Sequence, residues 1–110
     1  MPLPLEGIRI LSLAEQYPGP FATLILADLG AEVVLVERPP AGDPARAQPN
    51  FHAALNRNKR AVAVDLKTEA GKAALRGLIP GADVLFEGFR PGVMARLGFG
   101  YDDEIGRAHV

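Results

Sequence analysis

Arg57, Lys59 and Arg60 lie within four positions, interleaved with Asn56 and Asn58, directly ahead of the apolar run at residues 61–66. Cations and amides at that density suit phosphate oxygens, because each donates charge-assisted or neutral hydrogen bonds to an anion. The plain alternative is a solvated strand edge, where charge keeps the chain soluble and discourages edge pairing. Arg38 is a second candidate, since it follows Glu37 at the end of an apolar run. Dinucleotide-binding sheets place there an acid for a ribose hydroxyl or an arginine for a ribose phosphate. Arg38 therefore points to a phosphorylated ribose, with an ordinary surface arginine as the alternative. A third group is Gly88, Phe89 and Arg90. The glycine lets a flat ring approach the backbone, the aromatic and guanidinium offer stacking faces, and Arg96 adds a further cation, an arrangement that suits an adenine.

The elements that must position these residues follow from pattern. Residues 8–13 are a short aliphatic run, and Gln16-Tyr17-Pro18-Gly19-Pro20 is a turn with proline placed to open a helix over residues 21–29, which Gly30 stops. Residues 32–37 (EVVLVE) predict a second strand, apolar at its centre as in a sheet covered on both faces. Residues 41–50 are rich in Pro, Gly and Ala and read as an exposed loop, with a turn of helix at 51–55. A third strand is expected at 61–66, a helix capped by Thr68 and stopped by Pro80-Gly81, and a fourth strand at 83–87. Strands alternating with short helices predict an α/β fold, a Rossmann-like open parallel sheet half-domain with flanking helices, truncated. In such a sheet ligands meet the carboxyl ends of the strands, which selects the loops at 14–20, 38–55, 66–68 and 88–96. The first lacks Gly-x-Gly-x-x-Gly, which argues against ordinary NAD or FAD.

Composition narrows the partners. The 110 residues carry a formal charge of −1 and 48% hydrophobic content, with no cysteine. One domain with a real core is expected, and no disulfide or thiolate metal site is possible. Residues 56–76 hold six basic and two acidic side chains, so the expected anion is small and local; nucleic acid is not expected. The apolar stretch at 21–29 is interrupted by Asp28 and too short for a bilayer, so no membrane partner and a cytoplasmic location are expected. His52 has no second ligand-type residue at metal spacing, and Asp102-Asp103-Glu104 reads as the acidic first turn of a helix, so no metal site is assigned.

Taken together, Gly7-Ile8-Arg9-Ile10-Leu11, Gly19-Pro20-Phe21-Ala22, Leu26-Ala27-Asp28-Leu29-Gly30-Ala31-Glu32-Val33, Val36-Glu37-Arg38-Pro39, Gly42-Asp43-Pro44, Leu55-Asn56-Arg57-Asn58-Lys59-Arg60, Asp65-Leu66-Lys67 and Phe89-Arg90-Pro91-Gly92-Val93 resemble the amino-terminal part of class III CoA-transferases. That family includes formyl-CoA and carnitine-type transferases and the alpha-methylacyl-CoA racemases. The resemblance implies a region, residues 1–104, that holds the adenosine phosphate end of coenzyme A. By it Arg38 would face the 3'-phosphate, and Asn56, Arg57, Asn58 and Lys59 would line the nucleotide and its phosphates. Gly88, Phe89 and Arg90 would hold the adenine, Arg96 would add charge, and Tyr17 and Pro18 would sit near the pantetheine or thioester. Of the three clustered cations Lys59 is the foremost phosphate candidate, while Arg60 reads as support for the fold.

The family usually has Asp where this chain has Ser12, and often Asn where it has Gly88. The Glu87–Met94 stretch (EGFRPGVM) looks closer to the racemase branch. The resemblance also implies a CoA thioester and a small carboxylic acid as substrates, with no permanently bound cofactor, and an interlinked homodimer for the full-length form. In the transferases a downstream Asp is the nucleophile, and in the racemases a downstream His and Asp pair moves the proton. Neither segment is here, so no catalytic residue is assigned and no activity is expected of this chain alone. Residues 105–110 resemble nothing in the family and read as a non-native tail on an amino-terminal fragment. A transferase, a racemase and a non-catalytic nucleotide-binding module remain as alternatives.

Overall fold

The structure, a computed structural model, describes residues 3–100; the acidic cluster at 102–104 and the tail at 105–110 lie outside the described residues. Four strands, β1 (Arg9–Ser12), β2 (Glu32–Glu37), β3 (Lys59–Ala63) and β4 (Val84–Phe86), form one parallel sheet in the order β3-β2-β1-β4. The connections carry helices α1 (Pro18–Asp28), α2 (Pro49–Leu55) and α3 (Glu69–Leu78), and α4 (Val93–Arg96) follows β4. This order matches the 3-2-1-4 portion of a doubly wound sheet, which grows outward from β1 on both sides.

The two sheet faces follow from the period-2 alternation of side chains. Leu11, Leu13, Val36 and Val64 pack with Leu75 and Ile79 of the α3 region and with Met94 and Phe99. The opposite face sets Ile10 and Val33 against Ala27 of α1 and Ala31. Helix α1 is apolar almost all round, yet it buries only Pro20, Thr23, Leu24 and Ala27. Phe21, Ile25 and Leu29 stay on its outer side, between 40% and 48% exposed.

Local chemistry explains the boundaries. Prolines stand in the first turn of α1, where a missing N–H costs nothing. Gly30 adopts φ +107 after the last turn, the left-handed position that favours glycine. A Cβ at Gly19 would overlap the Cβ of Ala14, so the glycine lets α1 press onto the exit of β1. Thr68 caps α3, its Oγ1 accepting from the Gly71 N–H at 3.0 Å and donating to the Asp65 carbonyl at 2.9 Å.

Two expectations need correction. The third strand begins at Lys59, two residues before its expected start, and pairs with β2 only as far as Ala63. The stretch at 41–50 is not simply an exposed loop. It contains a 3-10 turn (Pro44–Ala47), α2 begins at Pro49, and Asp43 is only 1% exposed. Pro and Gly mark a break in regular structure but cannot say whether the break is buried.

Helix α3 offers a paired test. A Cβ at Gly71 would overlap the carbonyl oxygen of Asp65, whereas one at Gly77 meets nothing within 4 Å. Gly77→Ala should therefore stabilise the chain by up to ~1 kcal/mol through helix propensity. Gly71→Ala should destabilise it by about 1–3 kcal/mol despite the same propensity gain. Urea midpoints of the two variants would show opposite signs.

Candidate functional site

At the carboxyl edge of the sheet a cavity of about 250 Å³ opens between the ends of β1, β2 and β3 and the segment after β4. Leu13, Val36, Val64, Leu66, Phe89, Val93 and Leu97 give it apolar walls, and the charged residues of its lining are Glu15, Glu37, Arg38, Asp65 and Lys67. Arg38 and Lys67 also line the groove that continues along Pro39, Pro40 and Gly42. An apolar slot with a few convergent charges suits a flat, partly hydrophobic ligand carrying anionic groups.

Arg38 is exposed and donates from Nε to Glu15 Oε2 at 2.9 Å. Among the described residues only that nitrogen is engaged, which leaves the terminal N–H groups of the guanidinium for an anion. The pair joins an arginine side chain that is 63% exposed to a carboxylate that is 18% exposed, so the guanidinium is tethered at Nε while its outer nitrogens face solvent. Phe89 is half-buried in the cavity wall, its N–H donating to Glu87 Oε2 at 3.0 Å. Gly88 and Arg90 flank it and are exposed, as is Arg96 at the end of α4. Neither arginine lines the cavity. Tyr17 and Pro18 are exposed where β1 leads into α1, and the Tyr17 ring lies nearly parallel to Phe21 and Phe51, at 5.7 and 6.1 Å.

The cluster at Asn56, Arg57, Asn58 and Lys59, expected to line the nucleotide, is not part of the lining of this cavity. Arg57 and Asn58 precede β3 and reach the last turn of α1, whereas the Lys59 ammonium extends to the first turn of α1, where Asp43 also acts on it. Arg57 Nη2 donates to Asp28 Oδ2 at 2.7 Å, and Asn58 Nδ2 to Asp28 Oδ1 at 3.0 Å, fastening the entry to β3 to the last turn of α1. Lys59 is in register with Val33 and faces α1. Its ammonium donates to the Pro20 carbonyl at 2.8 Å and to Asn56 Oδ1 at 2.9 Å. Arg60 lies 3.8 Å from Glu32 and is largely exposed.

Sequence reasoning passed over Lys67, although it had selected the loop at 66–68. The signal was a cation one residue beyond Leu66 at the carboxyl end of a strand. It also passed over the carboxylates beside the cavity. Glu37 is 6% exposed and accepts from Arg46 Nε and Nη2, each at 2.7 Å, and from the Asp43 N–H at 3.1 Å. The Arg46 hydrogen bonds hold its carboxyl below the usual range against the opposing effect of burial. Glu37 is thus committed to Arg46 and the Asp43 backbone, away from any ribose hydroxyl. His52 Nε2 lies 3.6 Å from Glu37 Oε1, buried and without a hydrogen-bond partner among the described residues. No group of three or more His, Cys, Asp or Glu among the described residues could hold a metal ion, and no helix there is long and apolar enough to cross a membrane.

Residues 5–107 match the sequence profile of CoA-transferase family III. The succinyl-CoA:glutarate CoA-transferase of Mus musculus is 43% identical over 108 residues, 91% of this chain and 25% of the relative. The formyl-CoA:oxalate CoA-transferase of Afipia carboxidovorans is 42% identical over 107 residues, 90% of this chain and 25% of the relative. The chain thus spans about a quarter of the length of these curated relatives. Among solved structures, a hypothetical protein from Mycobacterium tuberculosis superposes with a TM-score of 0.90 at 43% identity, over 97% of this chain and 31% of the other. A CAIB/BAIF family protein from Brucella suis gives 0.89 at 33% identity, over 96% and 31%.

The internal role of Lys59 has a pH signature. Burial pushes its pKa down to about 8, with Asp43 acting in the opposite direction. An unfolded chain keeps that proton up to the ordinary lysine value of 10.5. Between those values the unfolded state binds more protons, so the cost of burying the charge, present below about 8, is relieved as pH rises. The urea midpoint of the native chain should accordingly climb over this window relative to Lys59→Met. Identical pH dependence in the two chains would show that the ammonium is not desolvated.

Proposed function

The chain belongs to CoA-transferase family III, and from that premise we propose that it supplies the nucleotide-binding part of an acyl-CoA:carboxylate CoA-transferase. The observation that carries the reading is the apolar cavity at the carboxyl edge of the sheet, with Phe89 in its wall and Arg38 and Lys67 at the adjoining groove. The cavity takes the adenine, bounded by the Gly88-Phe89-Arg90 turn. Arg38, assisted by Lys67, meets the ribose 3'-phosphate. Tyr17 and Pro18 stand toward the pantetheine and thioester, and Arg90 and Arg96, outside the cavity lining, add positive charge to its surroundings. Relatives named for CoA transfer between carboxylic acids support a transferase with a small carboxylic acid as acceptor.

In this reading the chain binds and orients CoA, and the carboxylate that attacks the thioester comes from outside these 110 residues. The interlinked homodimer implied by the family resemblance is retained for the full-length form. The uncovered apolar side of α1, with Phe21, Ile25 and Leu29, supports burial there in such an assembly.

Calorimetry with two ligands tests the phosphate assignment. Arg38→Ala should weaken CoA by about 1.5–3 kcal/mol, the range for a charge-assisted hydrogen bond, while scarcely changing dephospho-CoA, which lacks the 3'-phosphate. General loss of positive charge would weaken both ligands and fade with salt. Equal losses would return Arg38 to the solvated surface.

A further inference from the structure

Gln16 has φ +70, a left-handed conformation that costs any residue with a side chain and is retained only where its surroundings impose it. The imposing group is Asp43. The Gln16 N–H donates to both carboxylate oxygens of Asp43, at 3.0 and 3.2 Å. Oδ1 also accepts from the Ala45 N–H at 2.9 Å, capping the 3-10 turn. The Asp43 N–H is in turn held by Glu37 Oε1 at 3.1 Å, and Glu37 is clamped by Arg46 through both oxygens.

The motif Gly42-Asp43-Pro44-Ala45-Arg46 can be read from these contacts. Gly42 takes φ +78, and a Cβ there would crowd Arg46 Nε at 2.9 Å and Glu37 Oε1 at 3.1 Å. Asp43 caps, Pro44 opens the turn, Ala45 supplies an N–H, and Arg46 neutralises Glu37. A buried carboxylate is costly unless paired and hydrogen-bonded, yet the Gln16 turn that this one secures fills no core. Gln16 is itself exposed, and so are the next two residues, Tyr17 and Pro18. A glycine at position 16 would have made the turn without strain.

We propose that Asp43 is a positioning residue: through the Gln16 N–H it fixes the turn that presents Tyr17 and Pro18 to the pantetheine end of the ligand. This rests on the reading that the chain binds CoA. The Tyr17 ring, 51% exposed and near-parallel to Phe21 and Phe51, is the surface so presented.

Two measurements on the full chain test the role. In the first, CoA is compared with adenosine 3',5'-bisphosphate, which keeps the nucleotide end and lacks the pantetheine. Asp43→Ala should weaken CoA about tenfold and leave the bisphosphate within about twofold, because only the pantetheine end depends on the turn. Asp43→Asn, whose carboxamide oxygen still accepts from Gln16 and Ala45, should recover most of the loss. In the second, a double-mutant cycle in urea pairs Asp43→Ala with Gln16→Gly. Glycine adopts the left-handed turn unaided, so Asp43→Ala should lower the midpoint about half as much in the Gln16→Gly background.

Equal loss of both ligands, or strictly additive midpoints, would overturn the proposal. If Asp43→Ala does not fold, Asp43→Asn is put through the same two comparisons: near-native binding and a small coupled loss support the role, and equal loss of both ligands refutes it. If the unmodified chain binds neither ligand, the CoA reading fails and takes the pantetheine role with it; the urea cycle then reports separately on whether Asp43 holds the turn.

Discussion

The arrangement of this carboxyl edge depends on the need to satisfy the Glu37 carboxylate, buried at the end of β2. A buried anion stripped of its partners costs several kcal/mol, so the chain around it must provide donors. Arg46 answers with two hydrogen bonds and Asp43 with its backbone N–H. To bring them there the chain turns at Gly42 and winds a 3-10 turn, which leads through Gln48 into α2. Asp43, held in place by this turn, then fixes the exit of β1. One acid at a strand end thus coordinates the loops after β1 and β2, which a parallel sheet leaves side by side at its carboxyl edge.

The same accounting separates the cations into two classes. Lys59 and Arg57 are committed to Pro20, Asn56 and Asp28, tying the entry of β3 to α1. Their charge is consumed in joining elements far apart in sequence. Arg38 and Lys67 are exposed beside an apolar cavity, Arg38 engaged only through Nε among the described residues. Density of positive charge along the chain therefore does not reveal which cations are already engaged within the fold. The useful quantity is charge left uncommitted at the edge where strands end.

Much of the fold was legible because it rests on local rules. The apolar centre of EVVLVE marked β2 at its observed bounds, Thr68 marked the cap of α3, and Gly30 marked the end of α1. The parallel sheet followed from the alternation of strands and helices. The environment of Asp43 was not legible, since its partners Gln16 and Glu37 are brought together only by the strand pairing of β1 with β2. Arg38 and Phe89 could be singled out because each follows a strand end. The internal partners of the cluster at 56–59 were not legible, because Asp28 and Pro20 are far from it in sequence. Strand polarity assigns the loop containing Lys67 to the carboxyl edge.

Glu15 shows how an apparently adverse charge serves such a site. A carboxylate beside a phosphate pocket should repel the ligand, and like charges at short range cost more where walls are apolar. Yet among the described residues Glu15 accepts only from Nε of Arg38, and a guanidinium carries four further N–H donors on its terminal nitrogens. Fixing Nε restricts the rotation of the head group, so part of the entropy of ordering a long side chain is lost before the ligand arrives. The acid thereby trades some Coulomb attraction for orientation of the planar fork. Lysine in place of Arg38 would lose that division of labour, because its single ammonium would have to serve Glu15 and the phosphate from one point.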